Sequence, residues 1–398
     1  MSIILSNQKT DDRSIKKIGR KVISLSNAAI PTISILTIAA IIFHEYGSYA
    51  WGSFVSEFLW LSIAAKVVNY GLKEFILKTA GDERESTGER INESINAGML
   101  FIPVFFFVFL LLPFGLTHVV WLTLWLAAKY IYQSYEAFYA IYNKQGQQLA
   151  GELLSSLFII TILLLNKSDF SVVYLLQLFS AAEAMKAVLA YVLFRKTVAV
   201  HFNPVINFTY LKTNFIPFAI TFSILFKTRI DQLIATFCLP TAMVANYQVI
   251  MTMVLLSQSI LYSLSYSNIN KMYTLSYDYI REGSNKTILR VIIPVTLLAL
   301  IVPGISLYIY SYSVSSTLII STFLILLSHA YSLSYIYALY KAKEEMSVIL
   351  INVAAILITG ITLPFIMLHY SMEGTFIFTA AMSIAQVIAL KLRVRKLL

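Results

Sequence analysis

From residue 22 onward the chain alternates long apolar runs with short polar breaks, and the runs are about as long as a bilayer is thick. They cover 22–43, 49–68, 95–112, 117–142, 149–166, 172–194, 214–237, 241–264, 288–309, 314–340, 346–368 and 373–391. Lipid offers no hydrogen bonds, so a spanning segment satisfies its backbone internally as a helix or within a closed barrel. These runs far exceed the roughly 10 residues of a barrel strand. The predicted fold class is therefore an all-α polytopic membrane protein of about 12 transmembrane helices. Pro31, Pro103, Pro217, Pro294 and Pro364 fall inside or near the runs, where each removes a backbone donor and favours a kink.

Composition strengthens this reading: with 58% hydrophobic and 13% charged residues, there is too little polar surface to coat a water-soluble globule of 398 residues. The positive charges are distributed unevenly. Lys9, Arg13, Lys16, Lys17, Arg20 and Lys21 precede the first run, and Lys66, Lys73, Lys78, Arg84, Arg90, Lys144, Arg195, Lys196, Lys212, Lys271, Arg281, Lys286, Arg290, Lys341 and Lys343 border later breaks on the same face. Lys391, Arg393, Arg395 and Lys396 close the tail on that face, against Lys167 on the other. The positive-inside rule predicts both termini in the cytoplasm. The formal charge of +10 is then topology and attraction to anionic lipid, with no nucleic acid required. Trp51 and Trp121 are expected at the outer interface as part of an aromatic belt. No cleavable signal peptide is expected, and the first run would serve as the insertion signal. Cys238 stands alone, which excludes an intramolecular disulfide and a cysteine metal cluster. The outer connections are brief and leave no room for an extracytoplasmic domain.

Sliding the chain against itself by about half its length, near 198 residues, aligns the runs and some short strings. Tyr139-Ala140-Ile141-Tyr142 meets Tyr337-Ala338-Leu339-Tyr340, and Phe179-Ser180-Ala181-Ala182 meets Phe378-Thr379-Ala380-Ala381. Six spans separate equivalent positions, so the repeats share an orientation and relate by an axis along the membrane normal. Two six-helix lobes, 1–197 and 198–398, with a path between them are expected.

Ionisable residues inside the runs carry the chemistry. They are Glu57 in the second run, Lys129 and Glu136 in the fourth, Glu183 and Lys186 in the sixth, and Lys227, Arg229 and Asp231 in the seventh. Each costs about 2.5 to 3.5 kcal/mol at the helix centre, so each must face protein, water or another charge. At 100° per residue, Lys129, Tyr132, Gln133, Glu136 and Tyr139 share one face of the fourth helix. Glu183 with Lys186, and Lys227 with Asp231, are spaced to pair along one helix, while Arg229 points away from its neighbours. Two readings compete: paired buried charge, or a wet central path lined by Lys129, Lys186 and Lys227. Depth on three different helices, and Met382 and Ala385 where the repeat aligns Glu183 and Lys186, favour the path. His329 reads as a core histidine, 81–90 as a solvated loop, and 266–286 as an amphipathic stretch along the inner interface. The sequence has no phosphate-cradling glycine loop, zinc spacing or nucleophile elbow, so no enzyme signature is present.

One stretch is more specific. Phe215-Ile216-Pro217-Phe218-Ala219, Thr228-Arg229-Ile230-Asp231-Gln232-Leu233-Ile234-Ala235 and Asn246-Tyr247, all within Phe215 to Ile260, resemble the O-antigen and polysaccharide flippase (Wzx-type) family, and Tyr70-Gly71-Leu72-Lys73-Glu74-Phe75 is similar to its first-lobe counterpart. That family belongs to the superfamily of multidrug, oligosaccharidyl-lipid and polysaccharide exporters. The resemblance implies a two-lobe alternating-access carrier in the bacterial inner membrane, moving an undecaprenyl-diphosphate-linked oligosaccharide to the periplasmic leaflet. It implies no cofactor beyond a coupling H+ or Na+, and a polysaccharide polymerase with chain-length machinery as partners. Arg229 and Asp231 match the family's seventh-helix pattern; with the other buried residues assigned from this sequence alone, Lys129, Gln133, Lys186, Lys227 and Arg229 are expected to bind substrate, and Glu57, Glu136, Glu183 and Asp231 to serve as charge partners or ion-coupling groups. The alternative is an ion-coupled multidrug or small-molecule antiporter of the same superfamily, which would be expected to hold a carboxylate in the first helix. Residues 22–43 have none. A polymerase is a weaker fit, since it needs a large outer loop.

Overall fold

Helices occupy the apolar runs nearly end for end. The computed structural model describes residues 23, 26, 27, 29–72, 76, 92, 95–166, 171–195, 208–274, 292–305, 310 and 315–397. Within them lie α1 (Ala29–Tyr46), α2 (Ser48–Asn69), α3 (Ile95–Leu110), α4 (Leu116–Ile141), α5 (Gln145–Leu165) and α6 (Val172–Phe194). The second half supplies α7 (Phe208–Cys238), α8 (Thr241–Thr274), α9 (Ile292–Ile305), α10 (Ser316–Lys341), α11 (Glu345–Tyr370) and α12 (Met372–Arg395). No strand occurs among the described residues. Eight of the helices are long and apolar enough to cross a bilayer. Pro217 and Pro364 lie within α7 and α11. The 81–90 loop lies outside the described residues, as does 275–286, while 266–274 simply continues α8.

The helices end where local chemistry stops them. Gly47, at φ 83°, forms a one-residue corner between α1 and α2 that a side chain would strain. Ser171 and Ser315 cap α6 and α10 by accepting from the backbone N–H of Tyr174 and Leu318. After α4, Asn143 turns left-handed at φ 54°, and the N–H groups of Asn143 and Lys144 donate to the carbonyls of Ala140 and Tyr139. After α10, Lys343 does the same at φ 58°, with Lys343 and Glu344 donating to Tyr340 and Leu339.

These paired turns fix the repeat. Leu116–Ile141 and Ser316–Lys341 stand 200 residues apart at both ends, as do the starts of α5 and α11 and of α6 and α12. The register therefore differs by one or two residues from that of the matched strings: Tyr139 corresponds to Leu339, not to Tyr337. Apolar helices draw on few residue types, so short identities arise between positions that are not equivalent.

α11 folds back on α12 without a loop. Arg393 near the end of α12 reaches Glu344 (2.9 Å) and Ser347 (3.0 Å) at the start of α11, and Gln386 reaches Asn352 (2.8 Å). The Arg393 guanidinium and Ser347 hydroxyl hold the Glu344 carboxyl below its usual pKa. The outward faces of α5 and α11 are apolar, with Leu153, Leu157 and Leu164 on one and Leu350, Leu357 and Phe365 on the other, as lipid contact requires.

α2 joins the halves. Its ring Phe54 packs on Trp125 of α4 (6.1 Å) and Phe179 of α6 (5.2 Å), and Phe58 packs on Trp125 (5.9 Å). On its other side Trp51 is fully buried, and its indole N–H donates to Gln248 of α8 (2.9 Å). Trp51 is thus not the aromatic-belt residue expected from the sequence: a hydrogen-bond partner inside the protein draws it away from the interface. Beside it, any Cβ on Gly52 would run into the carbonyl of Thr241, so this crossing is as close as backbones allow. At the far end of α2, Tyr70 in left-handed conformation stacks on Phe218 of α7 (4.3 Å), and its hydroxyl reaches the Leu211 carbonyl (3.3 Å).

Two outcomes test this fold. Gly52→Val should force α2 off α8, costing about 1–3 kcal/mol or more and lowering the melting temperature in detergent, whereas Gly151→Ala on the open face of α5 should be neutral. Reporter fusions at Asn166 and Lys144, at opposite ends of α5, should report opposite compartments, Asn166 outside.

Candidate functional site

The polar face of α4 is divided by exposure. Tyr132 and Tyr139 are buried against α6, while Lys129, Gln133 and Glu136 on the same helix are half-buried. Gln133 accepts from Asn69 at the end of α2 (3.3 Å). Lys129 lies in the combined field of Glu183, Glu152, Glu136 and Lys186.

At the centre of this group Lys186 is enclosed. Its ammonium donates to Glu152 of α5 (3.1 Å), pairs with Glu183 one turn away on α6 (2.9 Å), and lies over the Tyr132 ring (4.7 Å). The Glu183–Lys186 pair is the one that sequence spacing allows. Glu152 is a further partner that the sequence reading passed over. Its signal was available: Glu152 and Lys186 face each other across the α5–α6 hairpin, and 200 residues later Asn352 and Gln386 do the same across α11–α12. The second half thus places a neutral amide pair where the first half has an ion pair, and Ser383 where it has Glu183. Met382 and Ala385 are not the equivalent positions.

The second polar cluster surrounds a cavity between α7, α8, α10 and α12. Lys227 donates to Gln386 Oε1, Gln386 donates to Asn352, and Asn352 donates to Ser223 (3.2 Å), a chain running from α7 through α12 and α11 back to α7. Asp231 lines the same cavity, yet it does not pair with Lys227 as their spacing allows. Its oxygens accept from the Tyr247 hydroxyl (2.7 Å) and the Gln232 backbone N–H (2.8 Å). Arg229 turns to Gln232 (2.8 Å), in keeping with its expected separate direction. His329, read from sequence as a core residue, lines the cavity. Asp231 and Tyr247 both belong to the stretch with flippase resemblance, so that stretch builds one α7–α8 contact.

Glu57 belongs to neither cluster. Its Oε1 lies 2.7 Å from Nδ1 of His118 on α4, and its buried Oε2 has no hydrogen-bond partner among the described residues. Among the described residues no group of His, Cys, Asp and Glu could hold a metal ion.

Comparison with known proteins shows the fold. The chain superposes on a multidrug-resistance MATE family transporter of the MOP superfamily in its inward-facing conformation, with TM-score 0.64 and 15% identity over 94% of this chain and 97% of that one. It superposes on the lipid II flippase MurJ, inward closed, with TM-score 0.66 and 15% identity over 94% and 87%. A MOP superfamily transporter from Pyrococcus furiosus, described by the reversed polarity of its binding pocket, gives TM-score 0.53 and 14% identity over 94% of both chains. No family model matches the sequence, and no curated protein matches it.

The enclosure of Lys186 predicts a mutational pattern. Lys186→Ala strands two buried carboxylates and should lower membrane abundance and stability by about 3–5 kcal/mol. The triple change Glu152→Asn, Glu183→Ser, Lys186→Gln copies the second half and should restore much of that loss in a thermal-unfolding assay.

Proposed function

We propose that this chain is a flippase for a lipid-linked oligosaccharide, carrying an undecaprenyl-diphosphate-linked O-antigen or related surface-polysaccharide unit from the cytoplasmic to the periplasmic leaflet of a bacterial inner membrane. In this reading 1–197 and 198–398 are lobes that alternate access to a path between them, both termini are cytoplasmic, and a polymerase with chain-length machinery receives the product. The observation that carries it is the half-buried row of Lys129, Gln133 and Glu136 on a helix otherwise packed in apolar and aromatic side chains. A sugar chain needs exchangeable hydrogen bonds, which such a row offers, and a diphosphate needs cations at membrane depth, of which Lys129 is one. The fold shared with a lipid II flippase and the resemblance of Phe215 to Ile260 point the same way. Lys129, Gln133, Lys227 and Arg229 are assigned to the substrate, with Glu136 and Asp231 tuning their charge. Lys186, held by Glu152 and Glu183, is assigned as a clamp between α5 and α6.

A second reading, an ion-coupled multidrug or small-molecule antiporter, has one observation in its favour. Glu57 leaves a buried carboxylate oxygen without a hydrogen-bond partner among the described residues, as a coupling site would. The fold is shared equally with multidrug transporters.

A deletion strain separates these readings. Loss of surface polysaccharide with intact lipid-linked units retained facing the cytoplasm is the expected phenotype, read by mass spectrometry of extracted lipids. Increased sensitivity to cationic dyes with normal surface polysaccharide would establish the antiporter instead. Missing lipid-linked units, with precursors accumulating, would mean an assembly enzyme. Within the flippase reading, Lys129→Ala should reduce export at least about tenfold at unchanged protein level, and Lys129→Arg should retain part of it.

A further inference from the structure

The repeat supplies an internal control for what each polar cluster does. The Glu152–Lys186 pair of the first half corresponds to Asn352–Gln386 of the second, and a lysine meets each: Lys186 belongs to its own pair, while Lys227 reaches Gln386 from α7. Lys186 has two carboxylates within 3.1 Å and an aromatic ring beneath it. Lys227 has a carboxamide oxygen from Gln386, and among the described residues no carboxylate lies within ion-pairing distance of it. An ammonium has three donors, so this bond leaves two for something else.

The space beside Lys227 is a cavity, and its walls suit an anion. His329 and the hydroxyls of Ser328, Ser332, Thr379 and Ser383 line it with Lys227. Ser332 and Ser383 rest on carbonyls of their own helices (2.8 Å each), a contact that a hydroxyl exchanges readily for a better acceptor. The charged and titratable groups lining the cavity are Lys227, His329 and Asp231. Asp231 accepts from Tyr247 and from the Gln232 backbone, and these donors offset part of its charge. The other polar lining groups can donate, beside the apolar Met251, Leu255 and Ile325.

We infer that this cavity is a phosphate site: Lys227, His329 and the surrounding hydroxyls bind a phosphate or diphosphate oxyanion, while the equivalent cluster around Lys186 is closed on itself and binds none. Resting on the flippase reading, the inference places the diphosphate of the lipid-linked substrate in the second half of the chain and leaves the α4 row to the sugars. Lysine suits this role as a compact charge that needs no bidentate geometry, and the poorly hydrated surroundings strengthen each contact.

The test uses the purified full chain in nanodiscs and measures affinity for undecaprenyl diphosphate, undecaprenol and inorganic diphosphate. Lys227→Gln should weaken undecaprenyl diphosphate about tenfold or more and leave undecaprenol unchanged, with Lys227→Arg recovering most of the loss. The Glu152→Asn, Glu183→Ser, Lys186→Gln triple should stay within roughly threefold of the parent. If Lys227→Gln does not fold, Thr379→Val and His329→Gln carry the same expectation of a several-fold loss confined to the charged ligands. Undecaprenyl diphosphate binding that is indifferent to these changes, or lost equally in the triple, overturns the phosphate site and leaves the flippase reading standing. Lys227-dependent binding of inorganic diphosphate without binding of the lipid upholds the site, assigns it a soluble phosphate, and removes the flippase reading.

Discussion

Nothing at membrane depth but the protein itself can satisfy a polar group, and this constraint organises the molecule. Each buried charge or amide forces a specific helix to be near it. Glu152 and Lys186 hold α5 to α6, Asn352 and Gln386 hold α11 to α12, Asp231 and Tyr247 hold α7 to α8, and Trp51 with Gln248 holds α2 to α8. Between these points the contacts are leucines, valines and stacked rings. Such contacts pack well but do not select a register, because in lipid there is little hydrophobic gain from bringing one apolar helix against another. The polar pairs therefore determine which helices meet and where.

The repeat makes this visible twice. A hairpin of two helices needs one cross-strut near its middle, and the struts 152–186 and 352–386 span the same 34 residues. One strut is ionic and one is neutral. A neutral strut satisfies its groups with less desolvation cost, so the ionic form is not required for folding. What the ionic form changes is the field around Lys129, to which Glu152 and Lys186 contribute together with Glu183 and Glu136.

Much of the fold was legible because membrane helices announce themselves by length and apolarity. The spans, their number and the half-chain repeat follow from that signal, as the match of 172–194 with α6 illustrates. The clusters were legible in part. Lys129, Glu136, Glu183, Lys186, Lys227 and Asp231 stand out because charge in an apolar run is costly. Glu152, Asn352, Gln248 and Gln386 did not, because a lone amide or carboxylate is ordinary taken by itself and gains meaning only from its partner. Trp51 misled for the same reason: its place near a helix end fits an interface, and only Gln248 on a distant helix reveals that it is buried. Lys227 and Asp231 misled through spacing, since i, i+4 permits a pair and Tyr247 on another helix took the carboxylate instead.

The contacts of α2 have a mechanical consequence. Near one end, at Gly52, the helix is fixed by backbone against backbone with a buried hydrogen bond alongside; at the other, Tyr70 is held by a stacked ring and long hydrogen bonds to Leu211 and Tyr210. A rigid rod held this way is a lever with its fulcrum near one tip. The 18 residues from Gly52 to Tyr70 give an arm of about 27 Å. Each degree of tilt at the fulcrum then sweeps the tyrosine by about half an ångström, so a tilt of a few degrees slides the stacked rings past one another by about one or two ångströms.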